Sequence, residues 1–189
     1  AAEGAVRASG RGGAARAAPT PYGESVELGP TPSGALRNCP SSFNCFGSSA
    51  SSPSQYGSPW VASGRGADAL GLLEEALTAV CPEATRVERR EVGDSGDVYA
   101  RYSVDGKFGP DAVEFLIRAG GVGERGFGGD EGTGVLVLYR SVATTAKYLY
   151  PLTQPLSDGG QQKRRMDAVR AALGADFKLV GCELLECYA

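Results

Sequence analysis

From Ala67 onward the alternation of apolar and polar positions predicts a folded domain. Leu70, Leu73, Leu77 and Val80 recur at helical spacing and place one apolar stripe on a helix. Gly66 precedes it, and Pro82, after Cys81, ends it. RVERREV is a weak strand candidate. DVYARYSV puts Val98, Ala100, Tyr102 and Val104 on one face. AVEFLIRA sets Val113, Phe115 and Ile117 against Glu114 and Arg118 on the opposite face. GVLVLYRSV is apolar at successive positions and reads as a strand buried on both faces. A second helix is expected from about Gln161 to Leu173, with Met166, Val169 and Leu173 as its stripe and Gly174 as its stop. ADFKLVGCELLECYA reads as a last strand. Strands that follow one another through short loops make a mostly antiparallel sheet. The fold class is therefore α+β: a two-layer sandwich of about four to five strands with two helices on one face.

Residues 1–66 read differently. Their only Val, Leu or Ile residues are Val6, Val26, Leu28, Leu36 and Val61. A segment this poor in apolar surface cannot offset the entropy of ordering its chain. The organisation that follows is an irregular, extended N-terminal arm over 1–35, a cysteine loop and extended linker over 36–66, and an α+β domain over 67–189. Arg7, Arg11 and Arg16, set among Ala and Ser, give the first residues a composition that fits a flexible solvated tail or a transit-peptide remnant.

Composition then narrows the chemistry. The 189 residues are 42% hydrophobic, enough for one core of ordinary size. A formal charge of −3 gives no basis for nucleic-acid binding. No apolar run reaches the roughly 18–20 residues of a spanning helix. The chain has no histidine, so the usual general base and the commonest zinc ligand are missing. Serine–histidine and cysteine–histidine nucleophile pairs are excluded within the chain. The expectation is a protein without catalytic residues, metal or cofactor.

Several motifs have a chemical reading beside a plainer one. Gly120–Gly134 holds eight glycines, and Gly121, Gly123 and Gly126 spell G-x-G-x-x-G. The dinucleotide fingerprint must open a helix. This one runs into a strand and reads as a hairpin loop. Lys163, Arg164, Arg165 and Arg170 read as a solvated helix face. Asp111 and Glu114 lie on opposite faces of a strand and make a poor acid–base pair. Glu114 is expected to meet an arginine across the sheet, such as Arg140. Thr144–Leu156 is apolar without periodicity, and Tyr148, Leu149, Tyr150, Leu152 and Leu156 have the anchor character of an interface. Cys182 and Cys187 are badly placed to bond each other. Cys39 and Cys45, bracketing NCPSSFNC, are close enough for a disulfide. A zinc tetrad of all four and a redox use of the first pair stay open, although no C-x-x-C occurs.

NCPSSFNC also carries a resemblance. Together with DAVEF, RSV and DGGQQKR, it resembles the uncharacterised family called domain of unknown function fourteen-ninety-nine, over roughly Leu36 to Leu173. Cys39, Pro40, Asn44 and Cys45 match its first block, and Asp111, Glu114 and Phe115 its second. Arg140 and Ser141 match the third, and Asp158, Gly160 and Arg165 the last. Phe43 stands where the family prefers proline, Thr144 where it has a second arginine, and Gln162 where it has asparagine. The family occurs in bacteria and in plastids, so the resemblance implies a plastid compartment.

From these readings follows an accessory or assembly protein of a plastid thylakoid membrane complex, on the lumenal side, with a photosystem as the natural partner. Phe43 and Phe46 join the loop residues as candidate contacts, and Glu114, Arg140, Asp158 and Arg165 are candidate structural ion-pair residues. A thiol–disulfide protein working through Cys39 and Cys45 is one alternative. A small-ligand or lipid-binding domain with a pocket between helices and sheet is another.

Overall fold

The computed structural model describes residues 26–63, 66–119, 134–149 and 155–180. It is an α+β domain. The strands are β1 (Cys45–Gly47), β2 (Trp60–Ser63), β3 (Thr85–Val92), β4 (Asp97–Val104), β5 (Asp111–Arg118), β6 (Gly134–Ala143) and β7 (Phe177–Leu179). The helices are α1 (Gly66–Val80) and α2 (Gln161–Leu173). These seven strands form one sheet, six of them in the order β3-β4-β5-β6-β2-β7 and β1 off that path, paired with β6. The long β6 pairs with β5 along one edge. Along the other it pairs with β2 near its start and β1 near its end. Every strand pairing is antiparallel.

The sheet is larger than the expected four to five strands. The surplus comes from the segment expected to be a loop and linker, which contributes β1 and β2. Poor local composition does not prevent this, because these short strands take their hydrogen bonds from β6 and bury Trp60, Ala62 and Phe46 in the domain core. Among the described residues the expected last strand contributes β7. Residues 181–189, with Cys182 and Cys187, lie outside the described residues, as do the glycine-rich loop 120–133 and residues 1–25.

Both helices pack on one face of the sheet. Leu70, Leu73 and Leu77 of α1 and Met166, Val169 and Leu173 of α2 meet Tyr102, Phe115, Val137 and Tyr139 there. Trp60 stacks on Tyr139 with ring centroids 4.3 Å apart. The opposite face is not wet. Seven of the eight residues of β5 are buried although its sequence alternates. The cover is the chain from Val26 to Asn44, which lays Val26, Leu28 and Phe43 on Ala112 and Val142, and Leu36 on Tyr99 and Leu116. The described part of the expected arm is thus a strap across the back of the sheet.

Candidate functional site

The strap, the sheet and α2 are tied together by three polar clusters. The first sits under the strap. Glu114 and Arg140 are cross-strand partners on β5 and β6, and both are essentially fully buried. Arg140 donates from Nε to Glu114 Oε2 at 2.6 Å. Its Nη1 and Nη2 donate to the backbone carbonyls of Asn38 and Glu27, at 3.0 and 2.9 Å. Glu114 Oε1 accepts from the Tyr99 hydroxyl and from the Gly29 amide, at 2.6 and 2.7 Å. Gly29 reaches this carboxylate at φ 89°, a backbone conformation that glycine adopts without a Cβ penalty. The pair is therefore compensated on both sides, as a desolvated ion pair must be. Burial and the Glu114 charge push the Tyr99 phenol well above its ordinary value.

The second cluster lies on the helix face. Asp111 and Ser141 project there from β5 and β6, while α2 offers Gln162 and Arg165. Arg165 Nη2 donates to Asp111 Oδ2 at 2.9 Å and to the Asp105 carbonyl at 2.7 Å. Its Nη1 donates to Gln162 Oε1 and Ser141 Oγ, at 2.8 and 3.1 Å. Gln162 accepts the Ser141 hydroxyl at 2.6 Å and donates to Asp111 at 2.8 Å. Gln162 thus closes a network between the two strands and α2. Burial raises the Asp111 pKa, opposed by the Gln162 hydrogen bond and by the charge and hydrogen bond of Arg165. Arg165, an ion-pair candidate that also falls in the helix face expected to be solvated, is buried and pairs with Asp111.

The third cluster anchors the cysteine loop. Cys39 and Cys45 form a disulfide with Cα atoms 5.6 Å apart. Asn44 donates from Nδ2 to the Leu156 carbonyl at 3.0 Å and accepts the Asp158 amide at 3.1 Å. Asp158 Oδ1 in turn accepts the Gly160 amide at 2.7 Å, at the N-terminus of α2. Asp158 Oδ2 is buried and has no hydrogen-bond partner among the described residues. Between this loop and α2 runs a cleft of about 250 Å³, lined by Phe43, Asn44, Phe46, Gln55, Asp158, Lys163 and their neighbours.

The bond between Cys39 and Cys45 uses both thiols, so the zinc tetrad is not available. Among the described residues no group of three or more His, Cys, Asp or Glu side chains could hold a metal ion. Cys45 is buried within β1, and the free Cys81 is buried with its thiol pKa pushed up, chiefly by desolvation. The six-residue separation makes the disulfide a local staple. Replacing both cysteines with alanine should cost about 2 kcal/mol, read as a lower urea midpoint at unchanged slope.

The candidate contacts separate. Phe43 and Phe46 are buried on opposite faces of the sheet, so they pack the staple and do not offer a docking surface. Tyr148 is half-buried and pairs with Pro155 in an isolated bridge. Leu149 and Leu156, beside that bridge, are 57% and 40% exposed. Tyr150 and Leu152 lie outside the described residues. Sequence reasoning missed Ser141 and Gln162 as network members and Asn44 as a clamp. The signal available was that each falls in a motif block beside a charged or cysteine residue.

What these clusters define is a stapled α+β domain whose motif residues lock a strap and a helix onto one sheet. The chain belongs to the family described as Protein of unknown function (DUF1499), whose model matches residues 35–173. No curated protein and no solved structure matches the chain.

Proposed function

We propose that this protein is a non-enzymatic accessory or assembly factor that docks on a larger complex through the apolar loop around the Tyr148–Pro155 bridge. One observation carries this reading. The motif side chains Glu114, Arg140, Asp111, Ser141, Gln162 and Arg165 are buried and bonded to one another or to the chain. They hold a shape, and the large apolar side chains left exposed at its loop end are Leu149 and Leu156. Exposed apolar anchors on a rigid support are what an interface needs. A disulfide staple suits an oxidising compartment. The plastid thylakoid lumen is the compartment we favour, and a photosystem the partner we would try first.

The test is a double substitution, Leu149→Glu with Leu156→Glu, in membranes solubilised with mild detergent and resolved by sedimentation. The variant should run as a free small protein while the unaltered chain co-migrates with a large complex. Undiminished co-migration of the variant would sink the docking role.

A thiol–disulfide role is the second reading, favoured by the half-buried position of Cys39 beside a cleft of about 330 Å³. It requires the bond to exchange under mild reductant, which alkylation and mass spectrometry detect.

A further inference from the structure

We infer that the outer face of the helix layer is a self-complementary surface on which a second copy of this chain docks, α1 of each copy lying over α2 of the other. This face is separate from the loop that carries Leu149 and Leu156, and the inference does not rest on the docking reading above.

A helix on the surface of a domain ordinarily turns charged and polar side chains to solvent. Here α1 lies over β4 and β5, α2 lies over β6 and β1, and the two helices pack against each other. Their solvent sides are largely small or apolar: Gly71, Leu72 and Ala79 on α1, Ala168, Ala171 and Ala172 on α2, all exposed. Leu72 is 42% exposed, and its position on the helix has a direction. Glu74 leans toward the edge of the sheet, where it pairs with Arg86 of β3 at 3.0 Å. Leu72, two residues away, lies about 200° round the helix axis from Glu74, on the flank turned to α2. Small and apolar side chains therefore occupy the middle of the layer.

Charge is divided between the two helices. α1 carries Asp68, Glu74 and Glu75 and no base. α2 carries Lys163, Arg164, Arg165 and Arg170 against one acid, Asp167. Some of these charges are answered within the chain: Glu74 by Arg86, Arg165 by Asp111, and Lys163 by Asp167. The exposed Asp68 and Glu75 have no ionic partner among the described residues. Arg164 and Arg170 donate to the Gly159 and Gly174 carbonyls and face no acid. Two acids on α1 and two bases on α2 are thus left open. A two-fold axis along the groove between the helices lays the acidic helix of each copy on the basic helix of the other, so one operation makes both contacts attractive. Stacking like helix on like is repulsive. An apolar middle with a charged rim is the anatomy of a protein interface. A face of two short helices is at the small end of such interfaces, so the association is expected in the micromolar range and to be sensitive to salt.

Analytical ultracentrifugation of the purified full chain, from low micromolar to near-millimolar concentration, tests this. A monomer–dimer equilibrium is expected at low salt, weakening as salt is added. Asp68→Lys with Glu75→Lys and, in a separate protein, Lys163→Glu with Arg164→Glu should each weaken the dimer by roughly tenfold or more, because like charges then face each other. Circular dichroism checks that each variant keeps its helices. Mixed in equal amounts, the two variants should form a heterodimer, since the reversed α1 meets the reversed α2 and the unaltered α1 the unaltered α2. Leu72→Glu should weaken the dimer, and the Leu149→Glu, Leu156→Glu protein should dimerise like the unaltered chain. A chain that stays monomeric at low salt refutes the inference. So does a dimer that either reversal leaves unchanged, or one that the mixture of folded variants fails to restore. A dimer lost in the Leu149, Leu156 variant lies at the loop and refutes it as well, while an intact dimer in a variant that no longer co-migrates with the large complex keeps the two surfaces distinct.

Discussion

Arg140→Met should lower stability by about 3–5 kcal/mol, the cost of stranding one member of a buried ion pair. Glu114 would keep its place at 0% exposure with no cation beside it. Two strap carbonyls, those of Asn38 and Glu27, would lose their donor in the same step. Against a total stability on the order of 5–15 kcal/mol the loss is large. It should be felt first in the strap, because the lost bonds hold the strap and the sheet ladder keeps its own. Urea unfolding measures the size of the effect, and amide exchange at Gly29 its location. Glu114→Gln added to Arg140→Met should recover a substantial part, since a neutral pair avoids the uncompensated charge. A single-variant cost under about 1 kcal/mol would mean that the pair behaves as a solvent-screened surface bridge, and the strap must then be held by its apolar contacts.

The same pair marks how far the sequence was readable. The helices and strands β4, β5 and β6 follow from periodicity, because each buries an apolar stripe against neighbours close in sequence; β3, at the sheet edge and mostly exposed, carries only a weak pattern. The Glu114–Arg140 contact was legible too, from a charge placed on an apolar strand facing an arginine on the next. The strap was not. Val26, Leu28 and Leu36 are few and unpatterned, and what orders them is far away. The Gly29 amide answers Glu114 and the Glu27 carbonyl answers Arg140, contacts that no local window contains. The short strands β1 and β2 were missed for the same reason, since their order comes from β6. At the site, the cysteine pair was visible as a feasible staple, and the family blocks marked the right residues. Their division of labour was hidden. Residues adjacent on a strand, Arg140 and Ser141, serve opposite faces: one clasps the strap and the other the helix.

On the helix face the corresponding substitution, Arg165→Met, should also cost about 3–5 kcal/mol at neutral pH, but with a dependence on acidity that follows from Asp111. Burial already holds the Asp111 pKa above the ordinary carboxylate value, against the pull of Gln162 and Arg165. A carboxyl whose folded pKa exceeds its unfolded one binds more protons when folded. Between the two values its contribution to stability therefore falls as pH rises, and it is most favourable below the unfolded value. Removing Arg165 takes away one of the influences holding the folded pKa down, so that window extends to higher pH. The destabilisation should be greatest at neutral pH and shrink on mild acidification, as Asp111 takes up a proton and remains hydrogen-bonded to Gln162. Asp111→Asn added to Arg165→Met should flatten this pH dependence and recover part of the lost stability, because no lone charge then remains in the cluster. Urea midpoints at neutral and mildly acidic pH, for the single and double variants beside the unaltered chain, measure both effects. A deficit that stays constant with pH would show that Asp111 is not the charge left uncompensated. The anchoring of α2 would then rest on the Ser141–Gln162 hydrogen bond and the packing of Met166 and Val169.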